Sequence, residues 1–357
     1  MFSADSSGSG STPARREPLL GRAWRSVASY FSEQRPSFWV AIAPALVVAA
    51  LVYTRSPASN FIFDEQEALL ANPYVNGHEL GFLDAFRRDF WGLPPERTIG
   101  SYRPLPNLVW WVFWRISELP WLPHWVNIVV HAANAALVAS FVLALSRERA
   151  LSWFAGAAFL LSAVITEAVT GVVGLADVLG GLGVLLALHA LRLPMAVMPF
   201  GVLGAVLLGL FSKESVLVAV PLVGWAALVT APHLHPARPW CAGRATAAWL
   251  FAGLALVGYT YFRRHFFPIE LPDALAEPLP DGTPLHQRAM HDFMRWFQQP
   301  RLPRDPINNP LVAADVPHRV AGALRVYWHG LGQVLLPFTL SGDYSYAAEP
   351  VPARVVS

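Results

Sequence analysis

The stretch HWVNIVVHAANAALVASFVLAL, residues 124–145, decides the fold. It contains no Asp, Glu, Lys or Arg. A helix needs about 20 predominantly apolar residues to cross the hydrocarbon core, because lipid offers no partners for exposed backbone groups. This run is long enough. Its polar residues, His124, Asn127, His131 and Asn134, fall at i, i+3, i+7 and i+10 and share one helical face. Polar groups at membrane depth turn toward the bundle interior or a cavity. Interhelical hydrogen bonding accounts for the asparagines. His131 is the stronger functional candidate in the stripe, with a hydrogen-bonded core histidine as the alternative. The sequence identifies no partner ligands that would make it a metal site.

Further apolar runs lie at 38–54, 150–166, 171–192, 195–212, 215–231 and 245–262. Another, at 320–340, is interrupted by Arg325, His329 and Pro337, and either spans or lies in the interface. The expected fold class is an all-α integral membrane protein with about seven or eight membrane helices. Composition agrees. Of 357 residues, 54% are hydrophobic and 14% charged, against roughly 25% charged in soluble domains. A net charge of +2 does not point to a nucleic-acid partner. A lone cysteine, Cys241, excludes an intrachain disulfide framework. There is no soluble domain and no repeat of solenoid period.

Residues 1–37 read as a disordered basic tail, with Arg15, Arg16, Arg22, Arg25 and Arg35 ahead of the first apolar run. By the positive-inside rule they place the N-terminus in the cytoplasm, with 38–54 as an uncleaved anchor. Alternating sides then puts loop 55–123 outside. The turns with Arg147 and Arg149, with Arg192, and with Arg238 and Arg244 are inside. The turns near Glu167 and Lys213, and loop 263–318, are outside. Arg263 and Arg264 at the start of that last loop run mildly against the rule. Residues 38–345 form the membrane domain, and 346–357 an irregular or truncated end.

Loop 55–123 carries Trp91, Trp110, Trp111, Trp114 and Trp121, and its stretch 105–117 is suited to a helix at the membrane surface. In loop 263–318 a short helix is expected at 285–298. Loops this long are usually functional or disordered; the tryptophans favour a folded one.

Several residues can carry chemistry. Asp64 and Glu65 follow the first helix and can supply a general base and a metal or substrate contact; the competing reading is a helix start, with Asp64 as N-cap and Glu65 and Glu67 favouring the dipole. Arg103, in Ser101-Tyr102-Arg103-Pro104-Leu105, suits a phosphate, or snorkels at the interface. Glu167 and Asp177 lie near or within an apolar helix, where an acid is either functional or structurally paired. Lys213 is the one lysine against 25 arginines. It is suited to a lipid phosphate, or pairs with Glu214 at the surface. Arg325, His329 and Gln333 are spaced by four and line either a head-group site or the wet side of an interfacial helix. The glycines 174, 180, 181 and 183 make no phosphate loop and fit close helix packing.

Taken in order, the pieces FDEQEALLANPYV (63–75), SYRPL (101–105), HWVNIVVHAANAALV (124–138), TEAVTGVVGLADVLGGL (166–182), LFSKES (210–215), INNP (307–310) and LLPFTLSGDYSY (335–346) resemble the membrane half of the transmembrane O-mannosyltransferases that carry tetratricopeptide repeats, whose animal members modify cadherins. The resemblance covers about residues 60–350. It implies a GT-C-like helix bundle with a large first extracytoplasmic loop containing interfacial helices. It also implies transfer of a sugar, mannose or another hexose, from a polyprenyl-phosphate carrier to an acceptor hydroxyl on protein or glycan. The reaction would take place outside the bacterial inner membrane or inside the endoplasmic reticulum. By the same likeness Asp64 is the base, with Glu65 beside it. Arg103, Lys213, His131 and Arg325 become candidates for the donor phosphate and lipid, and Glu167, Asp177 and Glu214 are supporting polar residues. No cofactor is implied, and Asp64 with Glu65 are too few ligands to argue for a divalent metal.

Two departures stand out. Leu175 occupies a position where the family usually has arginine. The repeats are absent and the chain ends at Ser357, where more membrane helices would be expected, so it reads as a truncated or shortened homologue. A transporter or flippase of a lipid-linked or small solute, or an inactive assembly subunit, are the alternatives to an enzyme.

Overall fold

The computed structural model describes residues 25, 28–98, 100–234, 242–271, 273–297, 311–338 and 340. The chain divides into two units, Met1–Arg35 and Pro36–Ser357. In the first, residues 28–33 are helical. The second holds the helices α1 (Phe38–Val52), α2 (Pro104–Trp114), α3 (Trp121–Ser146), α4 (Arg149–Leu160), α5 (Thr166–Thr170), α6 (Leu175–Ala190), α7 (Met198–Ser212), α8 (Ala219–Leu234), α9 (Ala242–Phe266), α10 (Asp273–Ala276), α11 (Leu285–Phe297) and α12 (Val316–Leu335). Among the described residues there is no β-strand.

Four segments are long and apolar enough to cross a membrane: Trp121–Ser146, Arg149–Thr170, Val172–Ala190 and Ala242–Phe266. Three shorter apolar helices, Phe38–Val52, Met198–Ser212 and Glu214–Thr230, accompany them. Together they occupy the seven apolar runs of the sequence, and the protein is a multi-pass helical membrane protein. At 1.5 Å per residue, the 15-residue helices α1 and α7 are about 22 Å long, short of the roughly 30 Å core. Helix α12 is not among these apolar helices. It keeps Val320, Leu324, Tyr327, Trp328 and Arg325 all exposed, and it leans on the turn Ala163–Ile165.

Helix α3 is the central strut. It packs on α1, α4 and α6; α6 packs on α7, and α9 on α7 and α8. Small residues permit these approaches, as expected where lipid supplies no hydrophobic drive between helices. Gly183 of α6 sits so close to α7 that an added Cβ would lie 2.6 Å from the Gly209 Cα. Gly156 of α4 likewise abuts Ala139 of α3.

The apolar run expected at 150–166 is interrupted. Helix α4 stops at Leu160, and residues 161–174 form short turns and the brief helix α5. Each interruption strands backbone carbonyls that a continuous helix would satisfy. The polar stripe of α3 answers this. His131 Nε2 lies 3.1 Å from the Leu160 carbonyl, which Tyr53 also reaches through its hydroxyl at 3.3 Å. Asn127 Nδ2 donates to the Gly171 carbonyl at 2.6 Å; beyond the break, Asn134 Nδ2 donates to the Val178 carbonyl within α6 at 2.8 Å and ties α3 to that helix. At the end of α3, His124 lies 3.0 Å from the hydroxyls of both Ser56 and Ser59, and Ser56 donates on to the Thr170 carbonyl. The stripe therefore seals a broken helix.

Loop 55–123 is folded. Short helical turns at Ser56–Ala58, Gln66–Leu70, Phe82–Arg87 and Pro95–Arg97 precede α2. Helix α2 lies within the stretch read as interfacial, and it buries Pro104, Pro106, Asn107, Leu108 and Trp110. Trp110 and Tyr74 belong to a core shared with α1, α3 and the 161–174 break. In the later loop, α11 falls at the expected 285–298. The INNP piece, residues 307–310, and residues 341–357 lie outside the described residues.

Candidate functional site

One end of the bundle collects the family-like motifs. Arg103 pairs there with Glu214 and Lys213 with Asp177, and Glu65 ties the neighbouring loop to the helix break. Glu214 Oε1 accepts the Tyr102 backbone N–H at 2.8 Å, and its Oε2 accepts from Arg103 Nε, also at 2.8 Å. The neighbouring Lys213 turns the other way and pairs with Asp177 on the first turn of α6. Lys213 has an extended backbone (φ −156, ψ 134) between α7 and the turn Glu214–Val218. Successive side chains of an extended segment point to opposite sides, so Lys213 and Glu214 reach different partners rather than each other.

Glu65 makes the last link. Its carboxylate is 2% exposed, and it accepts backbone N–H groups from Ile62 at 3.0 Å and Val172 at 2.6 Å. Burial pushes its pKa up, against the opposing pull of the two amide bonds. Both oxygens are committed to backbone, so Glu65 acts on the site by tying the acidic turn to the helix break. Asp64 beside it is exposed, and its carboxylate has no hydrogen-bond partner among the described residues. A helical turn does start here, with the Asp64 carbonyl accepting the Ala68 amide at 2.8 Å and Glu67 in the first turn of Gln66–Leu70, but no side chain caps it.

Arg103 is held by more than Glu214. Its guanidinium lies 4.8 Å from the centroid of the Phe90 ring, a favourable cation–π arrangement. With Nε spent on Glu214, its two terminal amino groups have no partner among the described residues. A planar fork fixed through Nε and stacked on one face presents its free edge for two oxygens. The segment before it is anchored by α9. Arg263, fully buried, donates from Nη2 to the Gly100 carbonyl at 3.0 Å, and the Tyr102 ring stacks on Phe267 with centroids 5.1 Å apart. Burial raises the Tyr102 pKa, and its hydroxyl donates to the Phe86 carbonyl at 3.0 Å. Arg263 thus braces the SYRPL turn.

The other candidates stand apart. Glu167 is exposed on α5, and its backbone carbonyl accepts from Gly171 at 2.9 Å. His131 is 1% exposed and faces Leu160 and Tyr53. Arg325 is exposed on α12. Leu175, 1% exposed, packs in the core with Ile128 and Val172. Among the described residues no three His, Cys, Asp or Glu side chains converge as a metal site. Sequence reasoning missed Phe90, Arg263 and Asp89. Asp89 Oδ1 accepts from the Trp91 and Leu93 amides and Oδ2 from the Thr98 hydroxyl, shaping the turn that leads to Arg103. Asp89 is one of eight acids in loop 55–123, and nothing local in the sequence marks it out from the other seven.

The side map drawn from the sequence requires the first loop, the Glu167 turn, the Lys213 turn and the end of α9 to share one end. The contacts of Glu65, Arg103, Lys213 and Arg263 gather those four segments. At the opposite end Arg244 donates to the Leu191 and Leu193 carbonyls, and Arg192 reaches Ser140.

No protein-family model and no solved structure matches the chain. Curated relatives do. Protein O-mannosyl-transferase TMTC3 of Mus musculus is 36% identical over 135 residues, 37% of this chain and 14% of that protein. Protein O-mannosyl-transferase TMTC2 of Homo sapiens is 36% identical over 149 residues, 40% of this chain and 18% of that protein. Protein O-mannosyl-transferase Tmtc1 of Drosophila melanogaster is 30% identical over 190 residues, 51% of this chain and 22% of that protein. The matched stretch thus spans less than a quarter of each relative. Over that part of its length, this multi-pass chain is homologous to the protein O-mannosyl-transferases.

Proposed function

We propose that this chain is the membrane part of a GT-C-type glycosyltransferase that moves a hexose, mannose by the relatives' name, from a polyprenyl phosphate to an acceptor hydroxyl on the extracytoplasmic side. The observation that carries the reading is the paired clamp Arg103–Glu214 and Lys213–Asp177, which joins three family-like motifs at the end of the bundle where Asp64 is exposed. The acceptor oxygen attacks the anomeric carbon, its proton passes to the Asp64 carboxylate, and the bond from that carbon to the phosphate oxygen breaks. The free edge of Arg103 and the Lys213 ammonium face the charge that develops on the departing polyprenyl phosphate. Glu65 positions Asp64 through the Ile62 and Val172 amides.

The test is sugar transfer from labelled polyprenyl-phosphate mannose by the full-length protein in membranes. Asp64→Asn is expected to abolish transfer while insertion and expression stay normal. Full activity of that variant would remove Asp64 from the mechanism. Labelling that put Asp64 and Lys213 on opposite sides of the membrane would remove the transferase reading altogether.

A further inference from the structure

Phe63 is one of two described non-glycine residues in the left-handed backbone region, with φ +48. That conformation is unfavourable for a residue with a Cβ, and nothing inside the protein repays it, because the Phe63 side chain is 86% exposed. The surroundings enforce it. Ile62 N and Val172 N are held by the Glu65 carboxylate, Glu65 N donates to the Ile62 carbonyl at 3.1 Å, Gln66 N to Phe63 at 3.0 Å, and Ala68 N to Asp64 at 2.8 Å. Over-determined strain of this kind collects where a side chain must be presented to a substrate. Ile62 on its other side is 50% exposed. The turn therefore offers two apolar side chains to the outside, one peptide bond from Asp64.

We infer that Phe63, with Ile62, is an acceptor-specificity surface that takes an apolar side chain of a polypeptide acceptor beside the hydroxyl being modified. This rests on the proposed role of Asp64. In a direct displacement the attacking oxygen and the leaving phosphate lie on opposite faces of the anomeric carbon. The base belongs to the acceptor side, and the cations of Arg103 and Lys213 to the phosphate side. The donor's polyprenyl chain is apolar as well, so it is the position beside the base, and not the lack of charge, that assigns Phe63 to the acceptor.

The experiment uses the full-length protein in phosphatidylcholine nanodiscs and two fluorescent peptides, one threonine flanked by leucines and one flanked by glycines. Phe63→Gly is expected to weaken the leucine-flanked peptide about tenfold, the scale of losing one buried aromatic contact. It should leave the glycine-flanked peptide and the donor KM unchanged. The thermal midpoint should hold or rise, since glycine adopts this backbone freely. Phe63→Trp should keep the preference. Equal binding of both peptides by wild type and Phe63→Gly, or a lowered midpoint with both peptides weakened alike, overturns the inference. So does quenching by brominated lipid that is greater in Phe63→Trp than in the wild type, whose 14 tryptophans set the baseline, since it would put the membrane against the ring. Because binding is read apart from transfer, an active Asp64→Asn would remove the base assignment while leaving this comparison decisive.

Discussion

Glu214 holds Arg103 from 111 residues away, at 2.8 Å, and uses its second oxygen on the Tyr102 backbone amide. Both side chains are about four-fifths shielded, at 22% and 19% exposure. The pair is thus a charge-assisted clamp on the backbone as well as on the guanidinium. Glu214→Gln keeps the shape but replaces one acceptor oxygen with a donor, so one of the two contacts must fail. A hydrogen bond to a charged group contributes about 1.5–3 kcal/mol, and the expected outcome is a lowered thermal midpoint in detergent together with reduced transfer. Arg103→Lys keeps the charge and loses the fork. It is expected to insert normally and to raise the donor KM. An unchanged donor KM would detach Arg103 from the phosphate.

Lys213 and Asp177 form the weaker pair. Asp177 is 43% exposed, so solvent screens it and the coupling should be about 0.2–1 kcal/mol. A double-mutant cycle with Lys213→Met and Asp177→Asn measures that coupling by thermal unfolding. The transfer assay is expected to separate the two residues, with Lys213→Met losing more activity than Asp177→Asn. Equal losses would make the pair structural only.

Much of this arrangement is legible in the sequence where the signal is local. The seven apolar runs reappear as helices because length and hydropathy act residue by residue along the chain. The α3 stripe faces inward, as its spacing demands. Pairing is another matter. Lys213 and Glu214 are adjacent, and a surface pair between them is a natural reading. Their true partners lie 36 and 111 residues away, distances over which no periodic pattern carries information. Glu65 shows the same limit. Beside Asp64 it looks like half of a catalytic couple, and only the approach of Val172 reveals a carboxylate spent on backbone amides. The turn near Glu167 is legible as a gap between two apolar runs, but its early start at 161 is not, because residues 161–165 are as apolar as a helix needs.

Glu65 gives a pH dependence with a definite sign. Burial raises its folded pKa above the ordinary 4.5, so between the two values the folded state holds a proton that the unfolded chain has lost. The contribution is full below pH 4.5 and is lost as pH rises through the folded value. The midpoint difference between wild type and Glu65→Gln should therefore shift against wild type as pH climbs from 4.5. A difference that moves toward wild type over that window would mean the two amide bonds outweigh burial.

The contact between α6 and α7 predicts a contrast between two glycines. A Cβ at Gly183 would meet the Gly209 Cα and N at 2.6 Å and the Ala205 carbonyl at 2.8 Å. These are backbone atoms that no rotamer change can move, so the helices themselves must separate. Overpacking of this kind costs about 1–3 kcal/mol. Gly204, on α7, has nothing within 4 Å of its Cβ position. There, alanine removes the glycine penalty of about 0.5–1 kcal/mol in a helix interior. Gly183→Ala is expected to lower the thermal midpoint, and Gly204→Ala to hold or raise it. Because α6 carries Asp177 and α7 ends beside Lys213, the Gly183 variant should also weaken that ion pair. Its double-mutant coupling should fall toward zero while the Gly204 variant keeps the wild-type value. Equal coupling in the two backgrounds would show that the site end of the bundle is insulated from the packing of its helices.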